Sequence, residues 1–227
     1  MKSKILWIIT FLPLIITTVV FPLMTDKIPM HYDINGNIDR WGSKSETFLF
    51  PIIIILITLF WKLLIRYYEN KQKKYSDEKV IQEAASNAKV LYYVAISETA
   101  MFAITHCFSL YSSYKESRGG YTEAYIDIGS ITCVCIGILL IIAGNVMPKT
   151  KRNGMVGIRT SWSMENDMTW AVSNRYSGML TMAAGLLIII IACVMNGTGV
   201  IAATLSVITV MAVVCCIISY VAYKKYK

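Results

Sequence analysis

The fold is decided by the stretch Tyr176–Ala222, which reads YSGMLTMAAGLLIIIIACVM-NGT-GVIAATLSVITVMAVVCCIISYVA. Two uncharged apolar runs, Tyr176–Met195 and Gly199–Ala222, flank the turn-forming Asn196-Gly197-Thr198. A helix needs roughly 20 such residues to cross about 30 Å of hydrocarbon. Each run meets that length, and so short a connection makes the two spans antiparallel neighbours. Working outward, the same test finds Ile5–Met24, Phe48–Ile65, Val90–Ser112 and Ile128–Met147. Val90–Ser112 is the least apolar of the six because it holds Glu98 and His106. Lys62 sits near the end of its span, where a long stem lets the ammonium reach the interface.

Composition points the same way. The 227 residues are 56% hydrophobic and 16% charged, with a mean hydropathy of +0.54, whereas soluble domains are less than half apolar and about a quarter charged. Disorder, collagen, coiled coil and a disulfide scaffold are excluded on these grounds. Cys107, Cys133, Cys135, Cys193, Cys215 and Cys216 all lie in apolar runs and read as small hydrophobes.

The net charge of +8 would suggest nucleic acid in a soluble chain, but here it reads as topology. Lys2 and Lys4, seven basic residues from Lys62 to Lys89, five from Lys149 to Arg175 and three at the C-terminal end fall on one side, 17 of the 22. Lys27, Arg40, Lys44, Lys115 and Arg118 fall on the other. Cytoplasmic loops carry the excess of Lys and Arg, so six spans with both termini inside are expected, and no direct contact with nucleic acid. The first span has a basic start like a secretory signal, but its run is long and Phe21-Pro22-Leu23-Met24 offers no small-residue cleavage site. It is expected to stay as an anchor, bent at Pro13.

The expected architecture is an all-α integral membrane protein of six transmembrane helices, N-in and C-in, with a short outer hairpin lid between the first two. Residues 1–68 hold helices 1 and 2 with the outer loop, 69–89 a basic cytoplasmic loop, and 90–227 helices 3 to 6 with a polar cytoplasmic loop at 148–175. In the outer loop, Asn35-Gly36 between Ile34 and Ile38 predicts a tight hairpin with positive φ at both turn residues. His31, Asp33 and Asp39 in that loop are types a metal accepts, although the spacing is not that of an EF-hand, and no metal or other cofactor is expected. In the second loop, Val80, Ile81, Ala84, Ala85 and Ala88 recur at helical spacing and extend the third span inward.

The cytoplasmic loop 148–175 is dense in Gly, Asn and Trp, which positive-inside charge alone does not require. Pro148 ends the fourth span, and Ser163 followed by Glu165 and Asp167 predicts an N-cap leading through Trp170 into the fifth. Lys149, Lys151 and Arg152 suit an anionic inner leaflet. In the third span, Glu98, Thr105, Ser109 and Ser112 share a face, with His106 beside them. A polar stripe that binds helices together is the first reading, and a proton or ligand path the second. No HExxH, GxSxG, P-loop or paired intramembrane acids are present, so an enzyme is not expected.

Two loops resemble a known family. Pro29, His31, Asp33, Gly36, Asp39, Trp41, Gly42 and Lys44 are similar to a small extracytoplasmic domain of unknown function found at the front of SdpI-like proteins. Gly144, Asn145, Pro148, Lys149, Asn153, Gly157, Ile158, Arg159, Thr160, Trp162, Trp170, Asn174, Arg175 and Gly178 resemble the C-terminal signature of that immunity family. The resemblance implies protection against a secreted, membrane-active peptide toxin. It further implies capture of a small cytoplasmic DNA-binding repressor at the membrane. The resembling residues are the candidate binding residues. The alternatives are a proton-coupled exporter using Glu98 and His106, and a membrane enzyme with a metal at His31, Asp33 and Asp39.

Overall fold

The computed structural model of the chain describes residues 2–33 and 35–227, with side chains from Lys4 onward. Ile34, which flanks the predicted turn, and the side chain of Lys2, counted among the basic residues, lie outside the described residues. The order is α1 (Lys2–Val20), β1 (Lys27–Tyr32), β2 (Ile38–Ser43), α2 (Leu49–Lys74), α3 (Glu78–Gly119), α4 (Ile128–Val146), α5 (Asp167–Val194) and α6 (Thr198–Tyr226). Among the described residues six helices are long and apolar enough to cross a membrane. β1 and β2 form one antiparallel hairpin between the first two. The molecule is an all-α membrane protein with a small β lid on one face. The face opposite the lid carries most of the basic residues.

Helix ends are set by their caps. The Asp77 carboxylate accepts from Lys79 N at 2.8 Å and starts α3, which absorbs the amphipathic segment of the second loop. It runs 42 residues, about 63 Å at 1.5 Å per residue, and stops where Gly120 turns left-handed at φ 65°. The outer third loop is therefore shorter than expected, because Ser113–Gly119 are helical. α1 continues through Pro13 as a single helix.

α5 starts later than the sequence predicts. Ser163 is not its N-cap: its Oγ accepts from Thr160 N at 3.0 Å and donates to Ile158 O at 2.6 Å, so that hydroxyl is used inside the loop. Asn166 caps instead, accepting from Thr169 N at 2.9 Å while Thr169 Oγ1 accepts from Asn166 N at 3.1 Å. This reciprocal box satisfies two donors that a helix start otherwise leaves unpaired. Asp167 opens the first turn, and Glu165 precedes the helix.

The spans associate through polar pairs on one side and glycines on the other. Thr10 of α1 meets Thr58 of α2 at 3.0 Å, and Thr58 meets Thr99 of α3 at 3.5 Å. Thr17 of α1 meets His106 of α3 at 2.8 Å, and Trp61 Nε1 of α2 donates to Glu98 of α3 at 2.6 Å. The stripe on α3 therefore joins three helices, as buried polar groups in hydrocarbon must find partners in the protein. α4 and α5 instead touch backbone to backbone. A Cβ on Gly144 would lie 2.5 Å from Gly178 O, and one on Gly185 would lie 2.5 Å from Gly137 O. Each helix repeats its glycine after seven residues, which returns it to the same seam.

The glycine seam can be tested through stability. Gly144→Val should lower the unfolding free energy in detergent by about 1–3 kcal/mol. Gly154→Ala, where a Cβ meets nothing within 4 Å, should leave it unchanged. Denaturant titration of the two purified variants checks the difference.

Candidate functional site

Two polar clusters stand at opposite faces. At the lid face, β1 and β2 pair with irregularities after Pro29 and His31. The predicted two-residue turn does not form: Gly36 has φ 86°, while no non-glycine described residue has positive φ. The Asp33 carboxylate organises a wider turn, accepting from Asn35 N, Asn37 N and Asn37 Nδ2, each at 2.8 Å. The Asn37 bonds first, with those from the other backbone amides, hold its carboxyl below the ordinary carboxylate value.

Asp33 is thus committed to the turn, while His31 and Asp39 pair with each other at 2.6 Å on the exposed surface. Among the described residues no group of three His, Cys, Asp or Glu is arranged to hold a metal ion. Trp41 is 45% exposed on the same hairpin. Gly42 is a glycine because a Cβ there would meet Met30 and Glu46. The loop-facing residues of the resemblance therefore divide. Pro29 is buried and Asp33, Gly36 and Gly42 shape the hairpin, whereas His31, Asp39 and Trp41 face outward.

The hairpin is held to the bundle by a residue that sequence reasoning passed over. Glu116, in the last turns of α3, is fully buried. Its Oε2 accepts from the Tyr32 hydroxyl of β1 at 2.6 Å, and its Oε1 accepts from Ser112 Oγ and Tyr125 N, each at 2.6 Å. Ser112 Oγ in turn accepts from Ile126 N at 3.0 Å. Hairpin and outer loop also exchange backbone bonds, from Ile38 N to Thr122 O and from Ala124 N to Gly36 O, both 2.8 Å. The one available signal was Ser112 and Glu116 at helical spacing across the end of the apolar run. Burial, and then the bond to Glu116, raise the Tyr32 phenol above its ordinary value of 10.0. Nearby, the Asp127 carboxylate caps α4 and accepts from Gly197 N at 2.7 Å, tying the α5–α6 turn to the same face. Burial would raise its pKa, but these hydrogen bonds outweigh it and hold the group low.

At the basic face, residues 147–166 form a folded cap under α4, α5 and α6. Trp170, buried, donates from Nε1 to Thr150 O at 2.8 Å. Asn174 Oδ1 accepts from Ile158 N at 2.8 Å, and its Nδ2 donates to Trp170 O at 3.1 Å. Gly157 sits over Asn174 at φ 116°, a conformation in which a side chain would be strained and would strike Trp170. Asn153 Oδ1 accepts from Met155 N at 2.8 Å and Val156 N at 2.9 Å. Thr160 reaches Ser219 of α6 by a short hydroxyl contact, and the Trp162 ring lies 5.0 Å from that of Tyr220. Lys151 donates to Gln82 on the inner part of α3 at 3.2 Å.

The candidate residues of this loop fall into two classes. Asn153, Gly157, Thr160, Trp162, Trp170 and Asn174 build the cap. Asn145, Pro148, Lys149, Arg159 and Arg175 are exposed. Lys149 donates to Asn145 at 2.9 Å, and Arg159 donates to Gly154 O. Arg152 is exposed too, and holds Met164 O, Glu165 O and Asp167. The result is an ordered platform with cationic heads around it.

Comparison with known proteins bears on both clusters. Residues 149–223 match the SdpI/YfhL protein family, and residues 8–55 match a domain of unknown function, DUF1648. Along 224 residues the chain is 23% identical to "Immunity protein SdpI" of Bacillus subtilis (strain 168), covering 99% of this chain and 97% of that protein. No solved structure matches the chain.

Each cluster can be probed through one of its hydrogen bonds. Unfolding exposes Tyr32 and lets it ionise near pH 10, whereas the docked phenol stays protonated, so lid stability should be level from neutral pH to pH 10 and fall above it. Tyr32→Phe should remove that fall and weaken the lid by about 1.5–3 kcal/mol at neutral pH, read by hydrogen exchange of the β1 and β2 amides. Asn174→Ala should strand Ile158 N, cost about 1–3 kcal/mol, and open residues 150–166 to protease while the spans stay intact.

Proposed function

We propose that this chain, which carries the SdpI/YfhL signature and is similar along nearly its whole length to an immunity protein, protects a bacterial cell from a secreted membrane-active peptide. In this reading it is a multi-pass protein of the plasma membrane, with the lid outside and the basic face in the cytoplasm. It works by binding rather than by catalysis. The observation that carries the reading is the built lid, a hairpin docked on the bundle through Glu116 that presents His31, Asp39 and Trp41 outward. A disordered loop would lose conformational entropy on binding, and a pre-formed one does not.

The basic cap supplies the second surface. Residues 147–166 are held in one shape by Trp170, Asn174 and Asn153, so Lys149, Arg159 and Arg175 present a fixed positive pattern. Anionic lipid heads or a cytoplasmic repressor with an acidic face are the partners that such a pattern would recruit. Export of the peptide is the alternative function. It would use Glu98 and His106 as titrating groups, but their partners are Trp61 and Thr17, neither of them an acid or base that continues a relay.

The test is killing of a sensitive host by secreted peptides, with each variant at matched membrane abundance. The intact chain should raise the lethal dose. Trp41→Ala, or His31→Ala with Asp39→Ala, should cut that protection about tenfold, the size of a contact of about 1.4 kcal/mol. Glu98→Gln should keep it, and its loss there would favour export. No protection by the intact chain against any peptide in the panel would overturn the immunity reading.

A further inference from the structure

Beneath the lid lies a cavity of about 300 Å³, between β1 and the lid-side ends of α2 and α3. Its walls are mostly apolar, from Ile28, Phe50 and Leu110, with His106, Thr105 and Ser109 among its polar groups. Ligand sites have this character, a concave apolar surface with a few placed polar groups, and this one is at the small end of their range of roughly 300–1,000 Å³. That is space for one large side chain and not for a folded segment.

The hydrogen bonds of the walls state what that side chain must be. Thr17 spends its hydroxyl proton on Pro13 O at 2.8 Å, so the 2.8 Å contact to His106 is donated by the ring, from Nε2. In the neutral ring Nδ1 then carries a lone pair, and it has no protein partner among the described residues. Three other wall protons are likewise engaged: Tyr32 donates to Glu116, Thr47 to Lys44 O and Ser113 to Pro29 O. Glu46 offers only acceptors, already facing Ser43 N and Arg40. Thr105 differs from Thr10, Thr17 and Thr132, which turn back to the carbonyl four residues earlier. Its buried hydroxyl has no partner among the described residues.

Among the described residues the wall therefore offers one free ring acceptor, His106 Nδ1, beside the uncommitted hydroxyls of Thr105 and Ser109, and it is aromatic on one side, where Phe50 and His106 lie 5.6 Å apart at 31°. An aliphatic side chain would leave Nδ1 unsatisfied. An acidic one would set a second carboxylate against Glu46 and bring no donor for Nδ1. A flat ring with a single donor answers both features. We propose that the cavity is a side-chain pocket for the secreted peptide, accepting one tryptophan or tyrosine whose N–H or O–H donates to His106 Nδ1. The pocket rests on the immunity reading for its natural ligand, and on its own geometry for its chemistry.

A probe independent of the toxin tests it. The intact protein in phosphatidylcholine nanodiscs is titrated with N-acetyl-5-fluorotryptophanamide and followed by fluorine NMR, against empty nanodiscs as the blank for partitioning. Saturable broadening is expected, displaced by N-acetyltryptophanamide and at least tenfold less well by its N1-methyl analogue, which keeps the ring and loses the donor. His106→Phe, which keeps a ring and loses the acceptor, should weaken the probe at least tenfold. Ser109→Trp, which fills the space and leaves His106 and Thr17 in place, should abolish binding in a chain with unchanged circular dichroism. Absence of saturable binding overturns the pocket, as does binding indifferent to N1 methylation or retained in Ser109→Trp. If the probe fails while the intact chain still protects cells, the pocket falls and immunity stands. If the probe binds and no peptide is resisted, the reverse holds.

Discussion

Gly137 and Gly144 of α4 lie against Gly185 and Gly178 of α5, and much of the molecule depends on that contact. Without Cβ atoms the two backbones approach until each glycine faces the other's carbonyl. In a membrane this closeness substitutes for the hydrophobic drive that lipid tails do not supply between helices. The seam also positions the loop that leaves α4. Gly178 leaves room for the Pro148 ring, so Thr150 arrives over Trp170 and its carbonyl receives the indole N–H. One turn further along α5, Asn174 then meets Ile158. The shape of the basic cap is inherited from the cap-side end of that seam.

The first three helices use the opposite strategy. Thr10, Thr58 and Thr99 form a ladder, Thr17 holds His106, and Trp61 holds Glu98. Each of these groups would be costly if left alone in lipid, so each pairing restricts how the helices can rotate. The ladder ends at Glu116, where the partners change from other spans to the lid and the outer loop. One face of α3 thus binds helices in its middle and the hairpin at its end. The cavity beneath the lid lies where these two tasks meet.

This arrangement gives the two faces different characters. The lid rests on the buried Glu116 carboxylate, the Ser113 hydroxyl, two backbone bonds to the outer loop and an apolar contact of Ile28 with Met24 and Leu110. The cap spreads its support over Asn153, Ser163, Thr160, Trp170 and Asn174, and onto α6 through Ser219 and Tyr220.

The sequence by itself determined the six spans, the inward extension of α3, the hairpin and the division of charge, because hydrophobic length, helical period and basic residues act locally or by simple addition. It marked the motif residues without separating those that build, such as Asn174 and Gly157, from those that face outward, such as Arg159 and Trp41. It misplaced the start of α5, because Ser163 and Asn166 are both competent caps and only the loop's internal bonds choose between them. The turn at Asn35-Gly36 was misread for the same kind of reason, since the Asp33 carboxylate outcompetes the two-residue geometry. Glu116 stayed hidden because its partners are Tyr32, 84 residues away, and Tyr125 across a turn. Pairings of that span belong to tertiary structure, which alone decides where a buried charge finds its donors.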